Sequence, residues 1–142
     1  MLLVGDGSRR MESQKLATDL QIADKVIFTG IRKDTARLLQ AMDVFVLPSI
    51  SEGFSVSALE AESVGLPCVL SKGVPTDVKL FPQMQTIFLP VENVDEWVRQ
   101  LRQLKGCGKT CWADEIRQTM YDVNNGAKQL MEYYMEKSRS LE

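Results

Sequence analysis

Glu52 and Glu60 stand eight positions apart in Ser49–Cys68, SISEGFSVSALEAESVGLPC, with a glycine and a small serine between them. Two carboxylates at that separation suit a ligand that offers both hydroxyls and a phosphate. Gly53 lets the backbone approach such a ligand closely, and the small side chain of Ser55 does not block it. A helix expected to start near Ser55–Ser57 would direct unpaired N–H groups and its positive dipole end at the phosphate. Glu60, about one turn in, can accept hydrogen bonds from two neighbouring sugar hydroxyls. Glu52 falls just before the helix, on the other side of the same anion position. A plainer reading stands beside this one. Ser57-Ala-Leu-Glu60 is itself a legal capping box, in which Glu60 would only bond backbone N–H groups and Glu52 would be a solvated loop acid.

The elements that must carry these residues are written in the hydrophobic pattern. Apolar runs at Leu2–Val4, Val26–Phe28, Val44–Leu47, Cys68–Leu70 and Ile87–Leu89 alternate with helical patterns near Ser8–Leu20, Thr35–Ala41, Val56–Val64 and Val94–Leu104. That alternation predicts an α/β fold with a Rossmann-like parallel sheet and helices on both faces. The runs are continuous rather than alternating, as for strands covered on both sides. Gly65 followed by Leu66-Pro67 reads as a glycine stop after a helix, and Asn93 to Glu96 has capping-box spacing before WVRQLRQL. Beyond Lys105, a loop leads to an expected helix over Trp112–Tyr121 and a longer one over Val123–Ser138, with Val123, Ala127, Leu130 and Tyr134 on one stripe. A stripe of this kind is ordinarily core. Trp97 and Trp112 read as core anchors.

Ligands of open α/β sheets bind outside the carboxyl ends of the strands. The residues that follow the strands here are Gly5-Asp6-Gly7, Thr29-Gly30-Ile31-Arg32, Pro48-Ser49 with Glu52–Ser55, and Ser71-Lys72-Gly73. Four such loops rich in glycine, serine and charge exceed what a purely structural sheet needs.

Composition removes other chemistries. Histidine is absent, which excludes Ser-His-Asp and Cys-His nucleophile pairs and HExxH zinc sites. A net charge of −2 with interspersed signs gives no electrostatic case for nucleic acid. No apolar run approaches the ~18 residues of a membrane span, so the expected location is cytoplasmic. Cys68 reads as a small buried hydrophobe, and Cys107 and Cys111 as free thiols without a second pair to complete a metal site. Cys107-Gly-Lys-Thr110 lacks the upstream glycine of a P-loop, and Gly5-Asp-Gly7 lacks the third glycine of a dinucleotide fingerprint. With 142 residues the chain reads as a single partial domain over 1–140, whose residues 121–140 form a trailing helix. It opens inside what should be a buried strand, so it reads as part of a longer protein. Residues 141–142 resemble a vector junction.

The stretch around the two glutamates resembles the signature of retaining glycosyltransferases of family 4, in the GT-B superfamily. The matching residues are Pro48-Ser49, Glu52-Gly53-Phe54, Leu59-Glu60-Ala61, Gly65, Pro67 and Val69. LLVGDG, VIFTG and AMDVFVLPS resemble the strands before that signature, so the likeness spans about residues 1–104. LPCVLSKGVPTDVKL and the closing YDVNNGAKQLMEYYMEK resemble the branch that builds capsular polysaccharide and exopolysaccharide. One departure is Ser55, where the family commonly has glycine.

The resemblance implies a nucleotide-sugar donor, with UDP favoured, and transfer of a hexose with retention and without a metal or other cofactor. It places Glu52 beside the donor sugar as the catalytic residue that helps the transition state, and Glu60 on the ribose hydroxyls. The N–H groups of Gly53, Phe54 and Ser55 would face sugar and diphosphate, Gly30, Ile31 and Arg32 would flank the base, and Gly5 and Gly7 would join the donor contacts. It further implies a separate N-terminal acceptor-binding domain. Membrane contact would come only through that domain or a lipid-linked acceptor, peripheral to the inner membrane. The family grips the diphosphate with an arginine and a lysine on a loop before the LLVGDG strand. Arg10 and Lys15 copy their spacing, but five positions on a helix set them ~140° apart. The chain alone is therefore expected not to transfer sugar. Two other readings remain: an epimerase-like GT-B domain, against which the missing histidine argues, and a non-enzymatic flavodoxin-like binding module.

Overall fold

The structure, a computed structural model, describes residues 1–139. Its contacts divide the chain into two compact units, Met1–Thr35 and the part from Ala36 onward. In the first, β1 (Leu2–Val4) pairs in parallel with β2 (Ile27–Gly30), Leu2 opposite Ile27 and Leu3 opposite Phe28. The register slips between Leu3 and Val4, which brings Val4 opposite Gly30. Helix α1 (Arg10–Asp19) connects the strands and buries Ala17. It ends in a turn at Gln21, whose φ of 56° is left-handed, and a single 3₁₀ turn, Ala23–Lys25, leads into β2.

The second unit contains α2 (Thr35–Ala41, whose first residue closes the first unit), β3 (Phe45–Leu47), α3 (Val56–Ser63), β4 (Cys68–Ser71) and β5 (Thr86–Leu89). Helices α4 (Val94–Leu104), α5 (Ala113–Ile116) and α6 (Val123–Arg139) follow. The sheet is parallel, in the order β3-β4-β5. Central β4 is buried along its whole length, and its pleat divides the core in two. Cys68 and Leu70 pack with Leu39 of α2, Ala58 and Ala61 of α3, Val74 and Val78. Val69, on the opposite face, packs with Leu89 and with Trp97 and Leu104 of α4. The expected Rossmann-like sheet with helices on both faces is therefore present. Alanine at 58 and 61, each fully buried, allows α3 to lie close against the sheet.

Both predicted punctuation marks are found. Asn93 caps α4, its side chain accepting from the Glu96 N–H at 3.3 Å. At the end of α3, Gly65 takes φ 78°, its N–H donates to Glu62 O at 2.9 Å, and the Leu66 N–H donates to Ala61 O at 3.0 Å. That pair of bonds is a Schellman stop. Trp97 is a core anchor, its indole N–H donating to Pro90 O at 2.8 Å. Trp112 is half-buried and stacked on Phe81, with ring centroids 5.7 Å apart. Cys68 is buried and Cys107 and Cys111 are exposed free thiols.

Other expectations change. Only β4 is covered throughout; β1, β2 and β3 each carry exposed positions, Ile27 the most at 63%. The helix expected over Trp112–Tyr121 spans only Ala113–Ile116. The Thr119 hydroxyl bonds Ile116 O at 2.7 Å, a side-chain alternative to the helical ladder, and the chain turns there. The stripe Val123, Ala127, Leu130, Tyr134 on α6 is exposed instead of forming core. The last position of the trailing helix, 140, and the proposed junction at 141–142 lie outside the described residues. No helix among the described residues is long and apolar enough to cross a membrane.

Candidate functional site

The expected site residues form one cluster in each unit. In the first unit they lie just past the carboxyl ends of β1 and β2. Gly5 (φ 119°) and Gly30 (φ 67°) both use backbone that disfavours other residues, and the Gly5 N–H donates to Gly30 O at 2.9 Å. A side chain at Gly5 or Gly7 would meet open space. Ile31 is 82% exposed. Arg32 forms a two-pronged pair with Asp34, at 2.8 and 2.7 Å, which raises the guanidinium pKa above its ordinary value and lowers that of the carboxyl.

In the second unit the loop after β3 is tied to the loop after β4. The Ser71 hydroxyl donates to Ser49 O, and the Glu52 N–H donates to Gly73 O at 3.0 Å. Gly73 permits this approach, since a Cβ there would stand 2.2 Å from Ile50 O. The Ser49 hydroxyl in turn donates to Glu52 Oε1 at 2.7 Å, which fixes the half-buried carboxylate in the loop. Glu52 is thus a held acid, not a freely solvated one.

Helix α3 begins two residues earlier than the alternative capping box requires. Its cap is Ser55, which is buried and accepts from the Ala58 N–H at 3.4 Å. With Ser55 as cap, Glu60 lies in the second turn, beyond the position from which a capping glutamate reaches back. The capping reading of Glu60 fails on register. Its side chain is exposed, has no partner among the described residues, and shares the outer face of α3 with Val56 and Ser57. The N–H groups of Gly53, Phe54, Ser55, Val56 and Ser57 have no acceptor among the described residues. A Cβ on Gly53 would meet nothing within 4 Å. In sequence, Glu52 and Glu60 thus flank a run of unpaired amide donors at a helix amino end, donors suited to an anion.

Three features escaped the sequence reading. The Ser49–Ser71–Gly73 anchoring joins loops more than twenty positions apart, and only the glycine and serine content of both loops hinted at it. Phe54 stacks on Tyr121 with centroids 5.2 Å apart and planes 9° from parallel. Glu62 is buried in α3, its Oε1 accepting from the Thr86 hydroxyl; its place one turn after Ala58, on the core stripe, was the available signal. Among the described residues, no group of three His, Cys, Asp or Glu side chains could hold a metal ion.

The fold and this arrangement define a Rossmann-like α/β protein with its polar cluster at strand carboxyl ends. The sequence matches the family described as glycosyl transferases group 1 over residues 1–105, and the chain belongs to that family. It is 31% identical over 101 residues to the UDP-Gal:alpha-D-GlcNAc-diphosphoundecaprenol alpha-1,3-galactosyltransferase of Escherichia coli, covering 70% of this chain and 26% of that protein. It is 43% identical over 68 residues to the Vi polysaccharide biosynthesis protein VipC/TviE of Salmonella typhi, covering 48% of this chain and 12% of the other. The fold matches that of the lipopolysaccharide outer core galactosyltransferase WaaB in its apo form, with TM-score 0.69 and 22% identity over 93% of this chain and 40% of that one. The chain thus spans about a quarter of the length of the galactosyltransferase relative.

Proposed function

We propose that this chain is the nucleotide-sugar-binding half of a retaining GT-B glycosyltransferase of family 4, moving a hexose from a nucleoside-diphosphate sugar to a polysaccharide or lipid-linked acceptor. The observation that carries the reading is the run of five unpaired N–H groups, Gly53 to Ser57, flanked by Glu52 and Glu60. A diphosphate placed there meets oriented donors and the amino end of α3, which stabilise charge developing on the leaving group. Glu60, exposed and unpaired one turn further along, accepts from the two ribose hydroxyls. Glu52, positioned by Ser49, lies on the sugar side and steadies the positive charge that grows at the anomeric carbon. No metal is needed in this scheme, because helix and amides supply the electrophilic stabilisation.

The nucleotide named in the Escherichia coli relative favours UDP. Donor contacts at Gly5, Gly7, Gly30, Ile31 and Arg32 rest on the family resemblance alone, as do the N-terminal acceptor domain, the cytoplasmic location and the capsular or exopolysaccharide product. Calorimetry against UDP, GDP and ADP tests the reading. UDP binding weakened about tenfold or more by Glu60→Ala is the expected result, since hydrogen bonds to a charged group contribute about 1.5–3 kcal/mol each. Binding indifferent to that change would remove Glu60 from the ribose and the proposal with it.

A further inference from the structure

We infer that Tyr121 is a positioning residue for the Gly53–Ser55 backbone and makes α6 part of the donor site's support; the donor role of that backbone rests on the function proposed above. Phe54 lies within the run of unpaired amides, is 42% exposed, and belongs to neither core cluster. A Cβ on Gly53 before it would meet nothing within 4 Å. What meets the ring is Tyr121, stacked nearly parallel at 5.2 Å between centroids. The Tyr121 hydroxyl has no partner among the described residues, and the side chain meets Phe54 through its ring face.

A prop must itself be rigid, and Tyr121 lies on a tightly bonded corner between α5 and α6. Its N–H donates to the Thr119 hydroxyl at 3.2 Å, and that hydroxyl donates to Ile116 O at 2.7 Å. Asp122 next to it caps α6, its Oδ1 accepting from the N–H groups of Asn124 and Asn125 at 3.0 and 3.2 Å. The Asn125 side chain donates to Arg117 O at 2.6 Å, closing the corner from the other side. Gly126 lets α6 sit against this turn, since a Cβ there would approach Met120 O to 2.6 Å. A displacement of α6 therefore moves Tyr121, and with it the support of Phe54. An aromatic between two helices, far in sequence from the glutamates, thereby controls how well the amide run is preorganised.

The test compares the unaltered chain with Tyr121→Ala, Tyr121→Phe and Gly126→Ala, reading backbone order parameters of Gly53–Ser55 by NMR relaxation and UDP affinity by calorimetry. Tyr121→Ala and Gly126→Ala should lower the order parameters from about 0.85 toward about 0.6. They should weaken UDP binding about two- to tenfold, the range expected for losing one aromatic pair. Tyr121→Phe, which keeps the ring face, should match the unaltered chain in both readouts. Unchanged order parameters in Tyr121→Ala, in a folded protein, overturn the inference. Loss of order in that variant, with no UDP binding even by the unaltered chain, upholds the prop and removes the donor reading instead.

Discussion

Glu62 is the residue at which burial and charge conflict most openly. It is 1% exposed; Oε1 accepts from the Thr86 hydroxyl, while Oε2 is buried with no partner among the described residues. Burial raises its pKa from an ordinary value near 4.5 to about 7, against the opposing effects of the Thr86 hydrogen bond and the charge of Lys79. Its neighbour Cys68 is pushed up as well, by burial first and by Glu62 second. The folded state therefore binds a proton that the unfolded chain releases above pH 4.5. Stability is fully present below that value and declines as pH rises through about 7, by on the order of 3 kcal/mol from this group. Glu62→Gln keeps an acceptor for Thr86 and abolishes the titration. Thermal melts between pH 5 and 8 should show the unaltered chain losing stability across that window and the variant losing much less; parallel curves would refute the assignment. The letters LEAES conceal this, because Glu60 and Glu62 look alike until the helix register sends one to solvent and the other to the core.

Among the elements, α3 carries the most information, and its end can be tested directly. Gly65 adopts φ 78°, and a Cβ there would lie 2.3 Å from Thr110 O and 2.5 Å from Thr110 C. Gly65→Ala therefore meets both a left-handed backbone and a main chain that cannot yield locally. A cost on the order of 2 kcal/mol or more is expected, read as a melting temperature lower by about 5 °C. An unchanged melting temperature would mean that the 107–112 segment does not press on the helix end. The stop itself was legible, because glycine before Leu66-Pro67 has few other uses. The five strands and the helices α1 to α4 were legible from apolar runs and 3.6-residue spacing, with boundaries displaced by a residue or two. The strap from Cys107 to Trp112 was not. It is held by the Lys109 ammonium on Gln40 O at 2.6 Å and by the Trp112 N–H on Ser63 O at 3.4 Å, contacts up to 69 positions apart in sequence. Local pattern cannot show such pairings. The short α5 was misread for a related reason, since the Thr119 side-chain bond that ends the helical run depends on rotamer, not on hydrophobic spacing.

At the scale of the molecule, donor binding and sugar transfer should separate. The amide run between Glu52 and Glu60 is held by contacts internal to the second unit: the Ser71 hydroxyl on Ser49 O, the Glu52 N–H on Gly73 O, and the Phe54 ring stacked on Tyr121. Nothing in that anchoring requires other parts of a longer polypeptide, so nucleotide binding should be a property of this chain. Transfer makes a further demand: an acceptor hydroxyl must be held at the anomeric carbon while water is excluded, which takes enclosure from more than one side. Tyr134 and Leu130 on α6 are 64% and 55% exposed, so this helix offers exposed apolar surface rather than enclosure. The galactosyltransferase relative is roughly four times as long as the stretch matched here. The expected result is that the 142-residue chain binds UDP but, mixed with a UDP-hexose and a lipid-linked saccharide, forms no product above the rate of spontaneous donor hydrolysis. Radiolabelled donor and chromatography of the lipid fraction provide the measurement. Clear transfer by this chain would mean that the two units carry acceptor binding as well, and the division of labour proposed here would be wrong.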